Sequence, residues 1–258
     1  LYNKIHISAF DIPNVKQKIP IITGLATWEW VLEMRSKYGE DSDIYRVRVL
    51  GEFPKHEADT LITVDAIEKA IDAEREMYGV DEFVGLDPAR YGGDTAAFIY
   101  RKGNYAIVLE EIQSSDLMTL AGKMVQYLEK YPKAQGRIDI IGLGAGIYDR
   151  LKEMPKISAR VFGVNVAVQA VDHEHYGNMR AEAWDMMRLW LRDAILEKHE
   201  GWYELAKPKM KILSNGKLQL ESKEDMRKRG VSSPNIGDAL SITFAQPSEG
   251  NNLTILWG

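Results

Sequence analysis

Glu82-Phe83-Val84-Gly85-Leu86-Asp87-Pro88 is the stretch on which the fold turns. A short apolar run, closed by Pro88 and the glycine turn Gly92-Gly93-Asp94, reads as a strand. It ends on a carboxylate, which is costly in an apolar strand unless paired or bound to metal. Downstream, Thr95 to Tyr100 and Tyr105 to Glu110 read as two more strands joined by Lys102-Gly103-Asn104, a hairpin signal. Ser115 or Asp116 then caps a helix with Leu117, Leu120, Met124 and Leu128 on one face. Arg137 to Gly142 is a fourth strand, with Asp139 inside it. A helix over 146–153 and a fifth strand from Ala159 to Val164 follow. A long helix is expected from Asn178 to Lys198, with Trp184, Met187, Leu191 and Ile195 as its core stripe. Met210 to Leu213 and Lys217 to Leu220 flank Ser214-Asn215-Gly216, where Asn-Gly suits a two-residue hairpin turn. A last helix starts near Pro234 and carries Gly237-Asp238. Upstream of Glu82, helices are expected over Thr27 to Arg35 and Val64 to Met77, and an extended stretch over Arg46 to Pro54.

Three consecutive strands imply an antiparallel meander, and strands separated by helices imply parallel crossovers. The expected fold is a mixed α/β sheet with helices on both faces and an added β-hairpin. At 258 residues, 45% of them hydrophobic, the chain can bury a large core. It has no apolar run long enough to span a membrane. Cysteine is absent, so any metal must sit on carboxylates or histidines. The whole chain carries −5, yet Lys207 to Arg229 holds eight basic and three acidic residues, a local +5. A basic element on an acidic body suits a phosphate-gripping hairpin beside an acidic metal site, and suits a solvated charged hairpin as well.

Asp87 and Asp139 lie on strands that can be neighbours, so their carboxylates can meet at one sheet edge. Asp238 opens a helix that can pack across that edge. Three converging carboxylates repel one another unless a cation sits between them. Oxygen-only ligation suits Mg²⁺ or Mn²⁺, and two such ions can hydrolyse a phosphodiester. Taken singly, each aspartate is equally well explained as a turn or helix cap; together they favour metal. Asp94 is an auxiliary candidate or a turn residue. Gly142-Leu143-Gly144-Ala145-Gly146 has the outline of a dinucleotide loop but lacks the acid expected after the next strand, so a tight turn is the better reading. His173-Glu174-His175 reads as surface loop before metal site. The phosphate loop of an ATPase is absent.

These stretches resemble the C-terminal nuclease domain of the large terminase subunit of tailed bacteriophages. The resemblance rests on Val84 to Arg90 with Gly92-Gly93-Asp94, Ile138 to Gly146, Glu221-Ser222-Lys223 and Ser233 to Leu240. Tyr38-Gly39-Glu40 and Val47 to Pro54 resemble the segment joining motor to nuclease. The resemblance implies a ribonuclease H-like fold. It implies residues 1–80 as a linker from a missing N-terminal ATPase motor, 81–250 as the nuclease and 251–258 as a tail. It implies an endonuclease that cuts concatemeric viral DNA during packaging with two Mg²⁺ or Mn²⁺ ions on Asp87, Asp139 and Asp238. Lys211, Lys217, Lys223 and Arg227 are the expected DNA contacts. Double-stranded DNA, the portal and the small terminase subunit are the expected partners, in the host cell cytoplasm. The family often has an acid where this chain has Asn235. A junction-resolving nuclease of the same fold, a non-catalytic docking module of the packaging motor and a nucleotide-binding protein are the rival readings.

Overall fold

The computed structural model describes residues 6–40, 45–52, 59–88, 95–113 and 116–248. The chain divides into two compact units, Leu1–Thr60 and Leu61–Gly258. The first holds α1 (Pro13–Gln17) and α2 (Trp28–Tyr38). Thr27 caps α2 by accepting from Trp30 N at 3.2 Å. Asn14 is buried, and its side-chain carbonyl takes the amides of Ile21 and Ile22, which fixes the loop between the helices. Arg46–Leu50, expected to be extended, is instead one helical turn closed by Gly51 at φ 66°. Five residues of alternating Arg and Val are too few to separate the two periods, and burial of Val49 decides for the helix.

The second unit opens with α3 (Val64–Ile71), which ends six residues before the expected Met77. It packs against elements from the second half of the unit, so residues 61–80 belong to the same body as the sheet. The strands are β1 (Glu82–Asp87), β2 (Ala96–Lys102), β3 (Tyr105–Ile112), β4 (Gln135–Asp139), β5 (Val161–Val164) and β6 (Ile195–Leu196). Between them run α4 (Leu117–Lys130), α5 (Leu143–Lys152) and α6 (Met179–Leu191). Asp116 caps α4, accepting from Met118 and Thr119. The sheet order is β5-β4-β1-β2-β3-β6. The β1-β2-β3 meander is antiparallel, and β4 joins β1, β5 joins β4 and β6 joins β3 in parallel, as expected of a mixed sheet.

One face of the sheet presents Val84, Leu86, Phe98 and Ile138 to Leu120, Met124 and Leu128 of α4 and to Ile147 and Leu151 of α5. The other face carries Gly85 and Asp87 and receives α8 (Asn235–Ser241). Gly85 is what lets that helix close in: a Cβ there would stand 2.0 Å from the Ala239 carbonyl oxygen. Near the other end of β1, charges are buried between rings on this face. The Arg101 guanidinium lies 4.2 Å from the Phe244 ring centre and 4.5 Å from that of Phe83. Arg137 lies 5.3 Å from Phe83 and 5.0 Å from Phe162. Arg101 also bonds Thr243, whereas Arg137 Nε and Nη1 have no hydrogen-bond partner.

The long helix expected to reach Lys198 stops at Leu191. Ile195 leaves the helical stripe because its amide is taken by Asn104 O at 2.7 Å, and Glu197 N by Ala106 O at 3.0 Å. The open edge of β3 captures the segment as β6, a competition that helical periodicity cannot register. The hairpin pairs β7 (Met210–Ile212) with β8 (Leu218–Leu220). Its loop is Ser214-Asn215-Gly216 rather than two residues: Gly216 N bonds Leu213 O, Leu213 N bonds Lys217 O, and Gly216 sits at φ 82°. After it, α7 (Lys223–Lys228) is capped by Ser222.

Candidate metal centre

Asp87 and Asp139 end β1 and β4, whose parallel register brings Leu86 beside Ile138 and so sets the two acids side by side. The C-terminal ends of parallel strands are where such sheets bind ligands. Asp139 is oriented by its own turn, with Ile141 N donating to Oδ1 at 2.9 Å. The glycine turn after it serves close packing: a Cβ on Gly144 would stand 1.7 Å from the Asp139 carbonyl oxygen. Asp238 arrives from the first turn of α8. All three carboxylates line one cavity of about 570 Å³, together with Arg180, Lys223 and Arg227.

Lys223, expected as a DNA contact, has its ammonium on the acids: 2.9 Å from Asp238 Oδ2 and 3.4 Å from Asp87 Oδ2. Burial works against that charge, but Asp238 and Asp87 outweigh it and hold the pKa above the usual lysine value. The two acids are driven apart. Burial pushes Asp87 up, and Asp238 and Asp139 add to the rise against the pull of Lys223. Asp238 is equally buried, yet Arg180 and Lys223 overcome burial and hold it below the usual carboxylate range.

Two residues complete the site that were not among the expected site residues, Trp184 having been expected only as helix core. Arg180 and Trp184, both on α6, donate to Asp238. The signal for them is a cation four residues before Trp184 on the same face of the helix, where it needs an acid. Lys223 carries a similar signal, since a cation in the first turn of a helix opposes the helix dipole.

The other expected residues separate. Lys211 lies on β7 and is exposed; Lys217 is half-buried just before β8. Arg227 reaches the cavity from α7, its Nε on Lys223 O at 3.3 Å. Asn235 lines the same cavity. Asp94 lies outside the described residues. His173 and His175 are exposed away from the carboxylates, with His175 Nδ1 2.7 Å from Asp172. Among the described residues, no three His, Asp or Glu side chains stand close enough to enclose one ion, and no helix is long and apolar enough to cross a membrane.

No protein-family model matches the chain, and no curated protein matches its sequence. Solved structures do match. The nuclease domain of the large terminase subunit gp2 of bacterial virus Sf6 aligns with TM-score 0.64 at 19% identity, over 73% of this chain and 99% of its own. A variant of that domain with manganese and beta-thujaplicinol aligns with TM-score 0.64 at 20% identity over the same shares. The large terminase nuclease from thermophilic phage G20c with bound magnesium aligns with TM-score 0.52 at 13% identity, over 72% of this chain and 96% of its own.

Proposed function

We propose that this chain, which has the ribonuclease H-like fold of phage large terminase nuclease domains, is a divalent-metal-dependent endonuclease. Its substrate is concatemeric viral DNA in the host cytoplasm, cut during genome packaging. The observation that carries the reading is the convergence of Asp87, Asp139 and Asp238 on one cavity that already holds a cation, the Lys223 ammonium. Three acids gathered at one sheet edge, two of them buried, are costly unless cations offset their charge.

The donor set fits Mg²⁺ or Mn²⁺ in kind, being carboxylate oxygen throughout. Asp87, Asp139 and Asp238 would hold the metal after drawing closer together, and Lys223 must first withdraw, because its ammonium fills the gap between Asp87 and Asp238. Two such ions, when bound, would supply an activated water and charge on the leaving oxygen of the phosphodiester. The chain's own part is to place that chemistry. Asp139 is held by its turn and Asp238 by α6. Arg227 in the cavity and Lys211 and Lys217 on the hairpin hold the DNA backbone, so cleavage has little sequence preference. The portal and small terminase subunit are the partners proposed for the full-length protein.

Nicking of supercoiled plasmid with Mn²⁺ tests the reading. Asp87→Asn and Asp139→Asn are expected to abolish cutting while retaining the wild-type circular dichroism. Wild-type rates in both variants refute the site. A folded wild type that neither binds Mn²⁺ nor nicks DNA is a docking module instead, and a strong preference for four-way junctions over linear duplex makes it a resolvase.

A further inference from the structure

α6 carries none of the three carboxylates, yet two of its side chains end on Asp238. Trp184 Nε1 donates to Oδ1 at 3.0 Å. Arg180 donates to the same oxygen from Nη2 at 3.1 Å and from Nε at 3.3 Å. Oδ2 has its short contact on the other side, to Lys223 at 2.9 Å; Arg180 Nη2 comes only within 3.5 Å of it. The two oxygens of one carboxylate are thus unlike. Oδ1 is covered by donors from α6, and Oδ2 meets the cation in the cavity.

Neither donor is free to turn away. Trp184 is fully buried, and its ring lies so close to α8 that a Cβ on Gly237 would come 2.5 Å from Cη2. Arg180 is held at its far corner, where Nη1 donates to Glu221 O at 2.7 Å. One guanidinium therefore ties α6 both to Asp238 and to the end of the β7-β8 hairpin. An aspartate alone has a broad terminal torsion and can present either oxygen or both. This one has the choice removed.

We propose that Arg180 and Trp184 are positioning residues that hold Asp238 so that it offers a single oxygen, Oδ2, to a divalent cation. The proposal rests on the metal-dependent reading above. Partners that orient a ligand in this way are worth about 10- to 100-fold in metal affinity. Arg180 also carries a positive charge that repels a metal ion, so removing it outright mixes two opposite effects. The informative changes are Arg180→Lys, which keeps the charge and loses the fork, and Trp184→Phe, which keeps the packing and loses the N–H.

Mn²⁺ binding to the metal-stripped protein, read from the electron paramagnetic resonance of free Mn²⁺, is the test, with melting temperature in EDTA as the control. Each variant is expected to bind Mn²⁺ at least about tenfold more weakly while remaining folded. If one variant unfolds, the other decides. In metal-free ¹⁵N-labelled protein, the indole N–H resonance missing from Trp184→Phe is expected to move upfield in Asp238→Asn, as its acceptor loses charge. Affinities within twofold of wild type in the folded variants, or an unmoved indole resonance, overturn the positioning role alone. A wild type that binds no Mn²⁺ overturns it together with the metal reading.

Discussion

Replacing Gly85 by alanine separates the closeness of α8 from every other feature of the site. The new Cβ would stand 2.0 Å from the Ala239 carbonyl oxygen, 3.1 Å from its carbon and 3.0 Å from Thr243 Cγ2. The nearest obstacle is helix backbone, so no rotamer change relieves it. To bring the contact out to 3.0 Å, β1 and α8 must part by about 1 Å. Such overpacking costs roughly 2 kcal/mol, within the usual range of 1–3. For a unit of this size that is a fall of about 4–8 °C in melting temperature. Asp238 immediately precedes Ala239 and moves with it, away from Asp87. A misplacement of about 1 Å in a catalytic constellation can cost on the order of 100-fold in rate. Thermal melting by circular dichroism and Mn²⁺-dependent plasmid nicking read the two effects. Gly122→Ala on α4 is the control: its Cβ meets nothing within 4 Å, so helix propensity should raise stability slightly. A Gly85→Ala protein that melts within about 1 °C of wild type and cuts at its rate refutes the reasoning.

Three further outcomes are expected. Lys223→Ala should show a larger Mn²⁺-induced rise in melting temperature than wild type, because the ammonium and the ion compete for Asp87 and Asp238; equal rises at all Mn²⁺ concentrations count against it. Arg137→Met should melt at or above the wild-type temperature, since it keeps the contacts with Phe83 and Phe162 and removes a buried guanidinium with two unpartnered nitrogens; a fall of more than about 5 °C contradicts this. Glu110 is held below its ordinary value of 4.5 by the Tyr127 hydroxyl and Lys123. A depressed folded pKa means that its stabilisation is complete above that value and fades as pH falls through the folded pKa. Glu110→Gln should therefore flatten the acid limb of a stability–pH curve and leave its slope near neutrality unchanged.

What could be read in the sequence was what short-range chemistry decides. The β1 run, the Gly103-Asn104 hairpin and the Asp116 cap depend on neighbours along the chain, and they stand where expected. Asp87 and Asp139 were legible because a carboxylate in an apolar strand needs a reason, and the strand order put them side by side. The misses depend on partners far away in sequence. α6 stops at Leu191 because β3 offers an edge to Ile195, ninety residues after Tyr105. Lys223 looks like any basic residue after a hairpin until Asp87 and Asp238 surround it. Trp184 reads as helix core, Arg180 drew no expectation, and only the arrival of α8 gives both the same acceptor.

The convergence on Asp238 also sets when the protein can act. The site draws on the first strand of its sheet and on α8, the last helix among the described residues, with α6 and α7 closing in between. Loop closure over so long a span is slow, and a chain emerging from the ribosome cannot make it before α8 has been synthesised. A nascent or clipped chain can finish its meander, bury Phe98 against α4 and still lack the carboxylate that α6 is waiting to grip. On the proposed reading competence waits for α8, so a molecule stopped short of Asp238 is a harmless one. For a protein whose proposed work is severing DNA, the order of elements along the polypeptide is itself a safety catch.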